Sequence, residues 1–152
     1  MKFLTKNNGQ KWCLENQIAL NEQGLPLKLE KAQKFLIPSD AGQRVALVKS
    51  QMEGFQSCEE VLIWINDWGV WESGERTHIF NRFRQSYGEQ RLLNEVPVHL
   101  VKNSEYEDGV SIVTLAVLFL WDCFILTKGN EKFCFFSHDE YGLMLGKESE
   151  AI

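Results

Sequence analysis

Four of the five arginines, Arg76, Arg82, Arg84 and Arg91, fall within residues 76–91, where Glu89 is the single acid. Just before them, residues 51–75 carry six acids (Glu53, Glu59, Glu60, Asp67, Glu72 and Glu75) and no base, together with three of the five tryptophans, Trp64, Trp68 and Trp71. Guanidinium groups grip carboxylates and phosphates through a planar fork. Trp and Arg are also the side chains that most often dominate binding in desolvated pockets. The acidic stretch and the arginine stretch can therefore pair with each other as a structural ion-pair set. They can equally form a recognition surface built on Trp68, Trp71, Arg82 and Arg84, or an anion-binding catalytic site. In the catalytic version Arg82 and Arg84 clamp an anionic substrate while His99 or His138 moves a proton. His138-Asp139-Glu140 reads as an acid–base set or as a plain strand exit with a turn.

Other chemistry finds no pattern to stand on. The histidines, His78, His99 and His138, lie too far apart for a metal-ligand spacing, and there is no H-E-x-x-H, so no metal and no cofactor are expected. There is no G-x-S-x-G, P-loop or G-x-G-x-x-G. The cysteines, Cys13, Cys58, Cys123 and Cys134, contain no Cys-x-x-Cys pair and sit beside apolar or strand-like neighbours, the pattern of inert buried thiols in a reducing cytosol. Sixteen basic against 21 acidic side chains give a net charge of −5, which argues against a nucleic-acid or anionic-membrane partner and for a basic one. The most apolar run, residues 110–126, carries Ser111, Thr114 and Asp122 and falls just short of a membrane span. The N-terminus has no secretory signal pattern. A cytoplasmic location is the expectation.

Elements must position these residues, and a chain of 152 residues with three prolines suits one domain over 1–152. Residues 11–37 alternate short apolar runs with turn residues, predicting three or four short antiparallel strands around a turn at Asn21–Gly24. Pro38-Ser39-Asp40 starts a helix over about 40–52. Glu60 to Ile65 is apolar on both faces and predicts a central strand. Ser73 to Tyr87 predicts a helix over 74–87 whose core stripe is Ile79, Phe83 and Tyr87. On that wheel Arg82 and Arg84 point to different sides, so one of them must turn inward, with Asp67, Glu72 or Asp122 as its carboxylate. A third helix spans about 105–120 behind a capping box of Ser104 and Glu107. A closing hairpin with Gly129-Asn130 as its loop sets paired positions summing to 259, so that Phe124 faces Phe135, Leu126 faces Phe133 and Trp121 faces His138. The expected class is α+β, a mainly antiparallel sheet with about three helices in a single layer packed on it.

Five pieces of text carry a resemblance: IWINDWGVWESGE at Ile63–Glu75, RFRQSYG at Arg82–Gly88, Glu95-x-Pro97-x-His99, Trp121-Asp122, and SHDE at Ser137–Glu140. Together they resemble a set of small bacterial proteins without an assigned activity, so the resemblance implies no catalytic role for any position. In size, charge and compartment the chain is also similar to the immunity proteins of bacterial toxin systems. The reading that follows is a protein-interaction module of the bacterial cytosol, such as an immunity-type inhibitor, that binds a basic protein. Its candidate binding residues are Trp68, Trp71, Arg82, Arg84, His99 and His138. The alternative is a small enzyme that acts on an anionic substrate with an Arg/His cluster.

Overall fold

The computed structural model describes residues 1–66 and 77–145. Along the chain they form β1 (Lys2–Leu4), α1 (Lys6–Glu15), β2 (Gln33–Leu36), α2 (Ala41–Met52), β3 (Glu60–Asn66) and α3 (Thr77–Gln85). There follow β4 (Val98–Lys102), α4 (Tyr106–Leu118), β5 (Asp122–Leu126), β6 (Phe133–Phe136) and β7 (Tyr141–Met144). All pairings are antiparallel in one seven-stranded sheet of order β1-β4-β3-β5-β6-β7-β2. The class is α+β, as the residue pattern implies.

The sheet has a helix layer on each face. Alternate residues of the central strands divide between two cores because side chains of a strand alternate across it. Val61, Ile63, Ile65, Val101, Cys123, Ile125, Cys134 and Phe136 pack with α2 and α4. Leu62, Trp64, Val98, Leu100, Phe124, Leu126, Phe133 and Phe135 pack with Cys13 of α1 and with Ile18, Leu20 and Leu25 of the segment after it. Strand β3 is thus buried on both faces, as its unbroken apolar text requires.

The N-terminal part departs most from the pattern-based expectation. Residues 6–15 form a helix, capped by Thr5 Oγ1 accepting from the Asn8 N–H, so the described helices number four rather than three and they occupy both faces. Gly9 reads as a breaker but serves contact: a Cβ there would stand 2.7 Å from Val98 Cγ2 and 3.1 Å from the Trp64 ring. Of the three or four strands expected over 11–37, Gln33–Leu36 forms, and Leu20 and Pro26 meet in a single bridge. The turn between them is as expected. Asn21 Oδ1 accepts from the Gln23 and Leu25 N–H groups, and Gly24 sits at φ 74°, where glycine is favoured.

Later elements follow their signals closely. Asp40 caps α2 through the Gln43 N–H at 2.8 Å. The closing hairpin takes the expected register, Phe124 opposite Phe135 and Leu126 opposite Phe133, with Gly129 and Asn130 both at positive φ. Its ladder ends at Cys123 and Phe136, so Trp121 and His138 do not form the expected pair. Helix α4 is entered differently. Glu105 rather than Glu107 reaches back, accepting from the Lys102 N–H at 3.1 Å. At its other end the chain reverses through Leu120 at φ 55°, with the Trp121 N–H donating to the Ala116 carbonyl, and so enters β5. No helix among the described residues is long and apolar enough to cross a membrane.

Candidate functional site

Helix α3 lies over the sheet edge made by β4 and β1, and it is rotated from the expected stripe. Phe80 and Arg84 face inward, Ile79 is exposed, and Phe83 and Tyr87 are half-buried. Arginine can sit in a core stripe because its three-carbon stem is apolar and its guanidinium is flat. One arginine turned inward, as the wheel demanded, and it is Arg84, with no accessible surface; Arg82 is exposed. Its partner, however, is not a carboxylate. Arg84 Nη2 donates to the Val96 carbonyl at 2.6 Å, its guanidinium lies 5.0 Å from the centre of the Phe3 ring, and among the described residues Nε and Nη1 have no hydrogen-bond partner.

His99 stands beside it on β4, also without accessible surface, paired in register with Phe3. Its Nδ1 lies 3.2 Å from the Ile63 carbonyl, which only accepts, so the proton sits on Nδ1 and Nε2 keeps a lone pair that no described residue satisfies. Phe3 and Phe80 meet the imidazole edge-on at 5.5 and 5.7 Å. Burial, and after it the Arg84 charge, hold His99 down to about 3, so the ring is neutral at pH 7. Burial likewise pulls Arg84 down to about 10, which leaves it charged. Glu89, the nearest acid to act on Arg84, is taken: Arg91 grips it through Nε at 2.9 Å and Nη2 at 3.0 Å, and these bonds hold its carboxyl at about 2. Arg91 also covers the Phe3 carbonyl at 3.4 Å.

The remaining candidates lie elsewhere. His138 follows β6 at the end of the sheet where β5 begins. Its Nδ1 and its backbone N–H both lie 2.7 Å from the same oxygen of Asp122, which is buried, and Asp139 comes within 3.5 Å of Nε2. Asp122 is thus the partner of His138 and not of Arg84. Trp68 and Trp71, like the carboxylates Asp67 and Glu72, lie outside the described residues. The structure therefore brings Arg84 and His99 together, places Arg82 outward on the same helix, and sets His138 in a separate pair.

Two features had no place in the pattern-based reading. Around the start of α4, Tyr87 hydrogen-bonds Asp108, and burial together with that bond and the charges of Asp108 and Glu105 pushes its phenol up to about 12. Tyr106 is raised by burial and by the charges of Glu107 and Glu53, both exposed. Glu105 itself pairs with the Met1 ammonium. The start of α4 is thus ringed by acids, with half-buried Tyr87 beside Asp108 and Glu105 and half-buried Tyr106 beside Glu107 and Glu53. Its signal was the run Glu105-Tyr106-Glu107-Asp108, legible in sequence only as helix-dipole compensation. The second feature is an open cleft of about 960 Å³ at the sheet end where β3 and β6 begin. Trp12, Cys58, Glu60, Lys102, Lys128 and Lys132 are among its walls, and no arginine or histidine of the described residues is. Among the described residues no cluster of histidine, cysteine and carboxylate has a metal-holding arrangement.

The four cysteines are free thiols; Cys13, Cys123 and Cys134 are buried and Cys58 half-buried. Burial raises Cys13 to about 11 and Cys123 and Cys134 further, so these three are protonated and unreactive. Compared with known proteins, the chain matches no family model, no curated protein and no solved structure.

Proposed function

We propose that this protein is an interaction module of the bacterial cytosol that meets a basic protein partner through the acidic, tyrosine-bearing face around the start of α4. Tyr87 and Tyr106, each beside carboxylates, carry the reading. A tyrosine offers a large rigid contact and a polar tip at small entropic cost, and surrounding acids select for a basic partner and speed its approach. In its immunity-type form, the partner is a basic toxin that the module holds inactive. Arg84 and His99 are enclosed, and the open cleft contains neither residue type, which weighs for binding over an arginine-clamped reaction.

A photo-crosslinking residue placed at Glu107, in cells that keep the gene in its native neighbourhood, is expected to capture a basic protein that the same residue placed at exposed Lys49 does not. The complex re-formed from the two purified proteins should then weaken at least about tenfold in the double variant Glu107→Lys, Asp108→Lys, roughly 1.4 kcal/mol. Identical adducts at both positions, or a complex indifferent to the charge reversal, contradict the reading. The enzyme alternative keeps one observation, the His138 ring held by Asp122, since an aspartate that orients an imidazole is the usual support of a general base. It requires His138→Gln to abolish turnover of an anionic substrate with the fold unchanged.

A further inference from the structure

Three of the four buried side-chain atoms that lack a hydrogen-bond partner among the described residues belong to one place: Arg84 Nε, Arg84 Nη1 and His99 Nε2. Native interiors satisfy nearly all such atoms, and a group that is left over asks for a reason. A guanidinium cannot shed its proton to escape burial, so it needs a counter-charge. Glu89 is the acid at hand, and Arg91 already holds it with three bonds, two from the guanidinium and one from the backbone N–H. Tyr87 contributes no charge, because its phenol is held protonated and bonds outward to Asp108. Among the described residues the imidazole meets the Ile63 carbonyl from β3, the Phe3 ring from β1, and the Phe80 ring and the Arg84 charge from α3.

We propose that Arg84 and His99 form an enclosed receptor for a single carboxylate supplied from outside the chain, lidded by Phe3 and Tyr87. A carboxylate matches the flat guanidinium, and the Phe3 and Phe80 walls suit an anion more weakly hydrated than a phosphate dianion. The lid is made of half-buried aromatics: Phe3 covers the guanidinium and Tyr87 leans on Phe3 with ring centres 6.4 Å apart. Strand β1 under the lid is three residues long and lies at the sheet edge, where opening is easiest. The bare lone pair on His99 Nε2 repels an anion until it takes a proton, so carboxylate binding and proton uptake are coupled. The receptor shares Tyr87 with the surface proposed above, but its ligand has the opposite sign to that surface's partner, so formate binding and partner binding fail separately.

The test is a titration of the isotope-labelled protein with sodium formate at constant ionic strength set by sodium chloride, read at the Arg84 Nε–H and the His99 ring nitrogens. Both sets are expected to shift saturably with formate and not with chloride. Affinity should rise as pH falls from 7 to 5, at most about tenfold per unit for one coupled proton. N-acetylglycine, which presents a peptide C-terminus, separates the sources: binding at least as tight as formate assigns a polypeptide end, and binding of formate alone assigns a small free acid. In Phe3→Ala, exchange of formate on and off should quicken at least about tenfold through the opened lid. In Arg84→Met, which removes the cation with an apolar side chain of similar length, the His99 response should vanish. No saturable shift in the wild-type protein, an equal response to chloride, or an affinity that stays flat between pH 7 and pH 5 overturns the proposal.

Discussion

Two buried regions sit on the same face of the sheet and obey opposite rules. Under α4, Ile112, Val113, Ala116 and Val117 close against Ile63, Val101, Cys123 and Ile125, and everything enclosed is apolar. At the β1/β4 edge under α3, enclosure is as complete, yet it holds a cation and an imidazole with unused hydrogen-bonding capacity. The first arrangement lowers free energy by removing apolar surface from water, roughly 25 cal/mol per Å². The second raises it, because a buried charge without a matched partner costs several kcal/mol. A fold that can complete one corner with apolar side chains alone has no stability reason to place Arg84 in another. The carboxylate receptor proposed at the α3 edge would account for that difference.

The sharpest way to break that contrast is to carry the rule of one region into the other. Val113 has no accessible surface, so Val113→Asp places a carboxyl in the apolar core and should remove several kcal/mol, most of what holds a domain of this size together. Circular dichroism and soluble yield report it; a folded, soluble variant would show that the α4 region is not the stabilising centre.

The next effect belongs to His99. Its folded pKa near 3 lies below the ordinary 6.5, so below pH 6.5 the unfolded chain takes a proton that the folded chain refuses. Stability that is full above pH 6.5 is therefore lost as pH falls toward 3, by about 5 kcal/mol at most for one such group. Denaturant melts between pH 7 and pH 4 should show this slope in the wild-type protein and a shallower one in His99→Gln. Equal slopes would mean that the imidazole is not held neutral by its surroundings.

A smaller effect sharpens the picture on the opposite face. Gly9→Ala pushes a methyl to 2.7 Å from Val98 Cγ2 and against Trp64, and it should cost about 1–3 kcal/mol through overpacking, although alanine is the better helix former. A variant as stable as the parent would mean that α1 rides more loosely on the sheet.

These same residues show what the sequence made legible and what it hid. The register of the closing hairpin was readable because Gly129-Asn130 leaves one choice, and each pair from Leu126–Phe133 to Cys123–Phe136 then follows by arithmetic, although not where the ladder ends. The start of α2 was readable from Asp40, since a cap is a local bond. Helix α1 was not, because Asn7, Asn8 and Gly9 are poor helix formers and the stabilising contact, Gly9 against Trp64 and Val98, lies more than fifty positions away. The stripe of α3 was misread by one position. Hydropathy ranks Ile79 above Arg84, while the sheet edge offers Phe3 as a flat surface on which a guanidinium stacks. Pattern alone foretold that one arginine would turn inward, but not that Asp122 would be taken by His138 and leave Arg84 without a carboxylate.

The change expected at Arg84 is the most telling, because its sign decides. If Arg84 is present for a ligand rather than for stability, Arg84→Met should fold and melt at or above the wild-type temperature, with a gain between zero and about 4 kcal/mol from removing an unmatched buried charge. A loss of about 3–5 kcal/mol, the signature of breaking a buried ion pair, would contradict the account and return Arg84 to a structural role.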